Sequence, residues 1–144
     1  MYRLLAIDID GTLVNSRDEL TPATREALVR VSAAGVRVVL ATGRRYSHAL
    51  PLVEPLGIDV PLVTASGALV KDPVGHRTLY QARFDPQLLL DMVAAVDRAG
   101  FDPVLCADTF DEGFDFYHPR RDPRTPQLAH YLERNADRGR LWPD

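Results

Sequence analysis

At 144 residues the chain has room for one domain, or one domain with part of another, and for a buried core. A composition of 46% hydrophobic and 26% charged residues is that of a soluble globular protein, and a net charge of -3 offers no basic footprint for nucleic acid. No apolar run reaches membrane-spanning length, acids break the only apolar stretch near the amino terminus, and Cys106 is alone, so a membrane anchor, a secretory leader and an internal disulfide are not expected. A cytoplasmic setting is the expectation.

The first predicted element runs through Leu4, Leu5, Ala6 and Ile7, an apolar stretch of the kind expected for a strand covered on both faces. Asp8 and Asp10 interrupt it at the carboxyl end. Residues two apart in a strand share a side, which aims both carboxylates at one crevice outside the strand, where open parallel sheets bind ligands. A buried, unpaired Asp costs several kcal/mol by order of magnitude, and a cation is the simplest compensation. Val14 to Leu20 is polar and turn-rich, with Asn15, Ser16, Asp18 and Glu19, and reads as a loop or small flap over that crevice. Thr21-Pro22 then caps and opens a helix that carries Ala27, Leu28 and Val31 at helical spacing and stops at Gly35.

Val36 to Ala41 is a second buried strand, ending in Thr42-Gly43-Arg44. Strand, helix and strand make the βαβ unit of a parallel sheet, so Thr42 emerges at the same edge as the two aspartates. A hydroxyl followed by an open glycine N–H suits a phosphoryl oxygen. Arg45 to Leu56 reads as a helix with Pro51 delaying or kinking it, and Gly57 ends it. Pro61 to Ala65 is a third strand; Ser66-Gly67 turns the chain into Ala68 to Lys71, and Asp72 to Gly75 turns it again into His76 to Tyr80, a hairpin on the sheet. Of 17 basic residues only Lys71 is a lysine, and its place on the hairpin predicts a solvated side chain.

From Phe84 the elements change. Asp85-Pro86 opens a helix with a stripe of Leu88, Leu89, Met92, Val93 and Val96, closed by Gly100. Phe101 to Cys106 is a strand, Phe114 to Tyr117 a second and more exposed one, His118 to Pro126 a loop, and Thr125-Pro126 starts a helix running towards Arg138. Asp108, Asp111 and Glu112 read as loop acids, and Arg120, Arg121 and Arg124 as a charged loop. The four histidines show no metal-ligand spacing.

Asp8-Ile9-Asp10-Gly11-Thr12-Leu13 resembles the first signature of the haloacid dehalogenase superfamily of phosphatases, and Thr42-Gly43-Arg44 at its distance resembles the second. The order of strand, Thr-Gly-Arg, helix, strand and Ser-Gly hairpin looks like the large α/β-capped, Cof-like (type IIB) branch, where an Asn-Gly commonly stands in place of Ser66-Gly67. The resemblance implies an α/β fold: an incomplete Rossmann-like parallel sheet over residues 1–82, with a hairpin leading into a partial α/β cap over residues 83–144. It implies a magnesium-dependent phosphatase for small phosphorylated metabolites, sugar phosphates among them, working through an aspartyl phosphate. Asp8 would be the nucleophile and Asp10 the acid and base; both would take part in the metal site, Asp10 through its main-chain carbonyl. Gly11, Thr42 and Gly43 would bind phosphate, and Arg44, Ser66 and Gly67 the substrate. The family's lysine and late acidic pair normally follow the cap. The chain therefore resembles an amino-terminal portion, and the alternative is a shortened, non-catalytic binding or interaction domain. An incomplete sheet also predicts self-association through its exposed edge.

Overall fold

The computed structural model describes residues 2–120 and 122–142. The chain divides into two compact units, Met1–Ala82 and Arg83–Asp144. No helix among the described residues is long and apolar enough to cross a membrane.

The first unit is a five-stranded sheet in the order β1-β2-β3-β4-β5, with β1 at Leu4–Asp8, β2 at Arg37–Ala41, β3 at Leu62–Thr64, β4 at Leu69–Lys71 and β5 at Thr78–Gln81. The first three are parallel, and β4 and β5 add an antiparallel hairpin to β3. Helix α1 (Pro22–Ala33) packs on β2, and α2 (Tyr46–Val53) packs on β3. Thr21 caps α1 by accepting from the Thr24 N–H at 3.2 Å. Pro51 lies within α2, which passes into a single 3-10 turn over Glu54–Leu56 before Gly57 closes it at φ +66°. The core joins Val38, Leu40 and Leu62 of the sheet to Ala49, Leu50, Val53 and Leu56 of the helical segment.

Two expectations fail here. Strand β1 is not covered on both faces: it alternates exposed and half-buried residues, with Leu4 57% exposed, and the helices of this unit pack on β2 and β3 instead. Lys71 is not solvated but 3% exposed; its Nζ donates to Thr78 Oγ1 at 3.0 Å and lies 5.4 Å from the centre of the Tyr46 ring. Strand alternation turns it inward beside Leu69.

The second unit holds α3 (Pro86–Arg98), α4 (Pro126–Arg134) and a sheet in the order β6-β7-β8, formed by Leu105–Cys106, Phe116–His118 and Gly139–Leu141. Strand β6 is far shorter than its apolar run suggests, and β8, unforeseen in the sequence, pairs parallel with β7. Of the segment expected to be more exposed, Phe114 to Tyr117, the first three residues are buried and Tyr117 is half-buried. Phe116 meets Tyr131 of α4 edge-on, with ring centres 5.4 Å apart. On α3, Leu89, Val93 and Val96 are half-buried, while Leu88 and Met92 face outward.

Candidate active site

The site begins where β1 stops. The ladder pairs Asp8 with Ala41, and Ile9 N–H still donates to the Ala41 carbonyl at 3.1 Å, so β1 and β2 release their chains side by side. Beyond Ile9 the backbone curls: Leu13 N–H donates to the carbonyls of Asp8 and Ile9, and Val14 N–H to that of Ile9, each at 3.1 Å. Burial of Ile9, Leu13 and Val14 anchors this loop, and Gly11 supplies the left-handed turn at φ +73°. The result is a short polar loop held from below by apolar side chains.

Asp8 is exposed, and its carboxylate makes no hydrogen bond or ion pair with the described residues. The desolvation cost expected of an aspartate within an apolar run is therefore small, because the residue keeps its contact with solvent. Asp10 differs sharply. Thr42 Oγ1 donates to its Oδ2 at 2.8 Å, and Arg44 Nε donates to its Oδ1 at 2.8 Å, with Arg44 Nη2 2.6 Å from the same oxygen. These contacts hold the Asp10 carboxyl below the usual carboxylate range, the hydrogen bond from Arg44 first and that from Thr42 second, against a smaller opposing effect of burial. The same pairing raises Arg44, whose Nη2 also reaches Asp18 Oδ1 at 2.6 Å.

Thr42 is itself placed by its N–H, which donates to the Val63 carbonyl of β3 at 2.9 Å, and its hydroxyl accepts from the Arg44 N–H at 3.0 Å. The turn after β3 closes against this loop. Ala65 N–H donates to the Arg44 carbonyl at 2.8 Å and Ser66 N–H to the Thr42 carbonyl at 3.3 Å. Ala65, Ser66 and Gly67 are successively left-handed, at φ +49°, +55° and +94°. A Cβ on Gly43 would stand 3.5 Å from Ser66 Oγ, so the serine hydroxyl borders the glycine. Asp10, Thr42, Gly43, Arg44 and Ser66 are thus one connected cluster.

Asp18 is the member that sequence reasoning passed over as one polar flap residue among several. The flap is ordered by Asn15, whose Oδ1 accepts from the N–H of Arg17 at 2.8 Å and of Glu19 at 3.1 Å. Its polar composition signals a turn, but nothing local signals Arg44 as a partner.

No group of three His, Cys, Asp or Glu among the described residues converges as a metal site. Asp8 offers a free hard-oxygen donor of the type magnesium takes, whereas both oxygens of Asp10 are engaged. The side chains at the aspartates supply part of a ligand set.

The profile of the haloacid dehalogenase-like hydrolase family matches residues 5–131. The chain belongs to that family. Among curated relatives, it is 32% identical to phosphatase YwpJ of Bacillus subtilis (strain 168) over 99 residues, 69% of this chain and 34% of that protein. It is 26% identical to pyridoxal phosphate phosphatase YbhA of Escherichia coli (strain K12) over 117 residues, 81% of this chain and 42% of that protein. The chain thus spans well under half the length of these relatives. A haloacid dehalogenase-like hydrolase structure from B. subtilis superposes with a TM-score of 0.66 at 26% identity, covering 91% of this chain and 42% of that one. A Eubacterium rectale structure shares the fold with a TM-score of 0.78 at 22% identity, over 99% of this chain and 52% of that one.

Outside the cluster, this haloacid dehalogenase-like chain ties some of its charges into structure and leaves others exposed. In the second unit Asp111 and Glu112 lie exposed in a 3-10 turn, Phe110–Glu112. Arg120 and Arg124 both bind Asp97 and Asp102, at 2.8 to 3.6 Å, which makes them structural cations; Arg121 lies outside the described residues. A cavity of about 490 Å³ lies at the opposite end of the first sheet, lined by Arg37, Asp59, Asp72 and Arg77 among others, and contains none of the cluster residues.

Proposed function

We propose that this chain carries the nucleophile and phosphate-holding part of a magnesium-dependent phosphatase for small phosphorylated metabolites, sugar phosphates among them, in a cytoplasmic setting. The observation that supports this most directly is Asp8: an exposed carboxylate without a partner among the described residues, in register with the strand that delivers Thr42 and Gly43. In the reaction, an Asp8 oxygen attacks phosphorus in line, the new P–O bond forms as the bond to the alcohol oxygen breaks, and an aspartyl phosphate results. Asp10 gives the departing alcohol a proton and later takes one from the water that hydrolyses the intermediate. The Thr42 hydroxyl and the N–H groups of Gly11 and Gly43 hold phosphoryl oxygens, while Arg44, Ser66 and Gly67 meet the rest of the substrate. Asp8 and the main-chain carbonyl of Asp10 would hold magnesium, which would supply positive charge to stabilise the phosphoryl group during transfer.

The cluster as it stands is prepared for only part of this work. Asp10 is held ionised by Arg44, the state of a base; donating a proton to a leaving group requires the guanidinium to withdraw. A second reading, a binding domain without turnover, draws support from the same contacts and from Lys71, the only lysine of the chain, which is spent inside the first unit. Magnesium-dependent hydrolysis of an aryl phosphate by the full chain separates the two. The phosphatase reading expects turnover that disappears in Asp8→Asn; equal background rates in both proteins favour the binding domain.

A further inference from the structure

Among the described residues Arg44 has two counter-ions, and only one belongs to the Thr42 loop or the Asp8-to-Asp10 segment. Its Nε and Nη2 hold Asp10 Oδ1, and Nη2 also meets Asp18 Oδ1 at 2.6 Å. Asp18 stands at φ +59°, a left-handed position that aspartate tolerates better than most residues. Hydrogen bonds around Asn15 build the loop that presents it: Asn15 Oδ1 caps the N–H groups of Arg17 and Glu19, Asp18 N–H donates to the Asn15 carbonyl at 3.0 Å, and Asn15 Nδ2 donates to Glu19 Oε2 at 2.9 Å. Glu19 in turn pairs with Arg17 at 3.0 Å, which leaves Asp18 as the flap carboxylate directed at Arg44.

The consequence is a competition. A planar guanidinium recognises carboxylate and phosphate with the same fork of donors. While Arg44 bridges Asp10 and Asp18, its Nε and Nη2 donors are occupied, and the Thr42 hydroxyl proton is occupied by Asp10 as well. We propose that Asp18 is a positioning residue: from the flap it parks Arg44 across Asp10, and an incoming phosphate must take the guanidinium from it. This rests on the reading that the cluster receives a phosphoryl group. It assigns the flap a further task, setting how readily the site exchanges its internal anion for an external one.

The test uses the full chain and inorganic phosphate, with binding read from the phosphorus NMR linewidth, a measure that needs no turnover. Asp18→Asn keeps a residue suited to the left-handed turn and removes the charge. The variant is expected to bind phosphate more tightly, by on the order of threefold, as befits an exposed ion pair. Repeating the substitution in an Arg44→Gln background distinguishes a parked guanidinium from a general loss of negative charge. The proposal expects the gain to vanish there. An equal gain in both backgrounds, or no gain with Arg44 present, overturns it. Phosphate binding that Thr42→Val abolishes but Asp18→Asn leaves unchanged overturns the positioning role alone, whereas no binding by either wild type or Asp18→Asn overturns the phosphate site along with it.

Discussion

Gly139 begins β8 because the ring of Phe116 occupies the space a side chain would need. A Cβ there would lie 2.6 and 2.8 Å from two carbons of that ring, and Phe116 is fully buried against Tyr131. The requirement is steric, since this is not among the glycines with positive φ. Gly139→Ala is expected to destabilise the second unit by about 1–3 kcal/mol, the usual cost of overpacking, measured as a lowered urea midpoint. Asp97 provides a test of charge. Hydrogen bonding to Arg120, then the charge and hydrogen bond of Arg124, hold its carboxyl below the usual range, against an opposing effect of desolvation. A depressed folded-state value stabilises above the unfolded value and loses that contribution as pH falls through the folded one. The stability difference between wild type and Asp97→Asn is therefore expected to stay constant from neutral pH down to about 4, then shrink in more acid solution. Urea titrations across that range check it.

At the scale of elements, helix starts were the most legible feature of the chain. Thr21-Pro22, Asp85-Pro86 and Thr125-Pro126 each place a side-chain acceptor before a proline, and each is a cap: Asp85 Oδ1 accepts from the N–H groups of Gln87 at 2.9 Å and Leu88 at 3.1 Å. Such signals are local, involving atoms within three residues, so no tertiary knowledge is needed to read them. Asp85→Ala is expected to cost about 1 kcal/mol, seen as a lower midpoint in a urea titration followed by helical circular dichroism. The strands of the second unit were read poorly for the opposite reason. The apolar run from Phe101 keeps only Leu105–Cys106 in a ladder, and Gly-Arg-Leu at β8 has no alternation long enough to announce a strand. Pairing with β7 makes both of them strands.

For the whole molecule, the exposed edge of β1 is the feature with the largest consequence. Among the described residues only β2 pairs with it, and Leu4 and Tyr2 are largely exposed beside it. A free parallel edge with apolar neighbours is a template for another strand. We expect the isolated chain to self-associate with rising concentration, and Leu4→Lys to reduce that association in light scattering. A wild-type monomer at all concentrations contradicts the expectation.

The sequence alone determined the α/β class, the βαβ order, the capped helices and the convergence of an aspartate loop with a threonine loop at one sheet edge. Those follow from periodicities and caps that act over a few residues, and from the rule that parallel strands release their chains on the same side. Tertiary structure alone decided that Asp8 is open while Asp10 is bound, that Lys71 is interior, and that Arg44 answers to Asp18. Each depends on which side chains, 26 to 34 residues apart for the Arg44 pairs, arrive within hydrogen-bond distance. Charge and hydroxyl chemistry state what a residue is able to bind; only the packed backbone settles which of several eligible partners it meets.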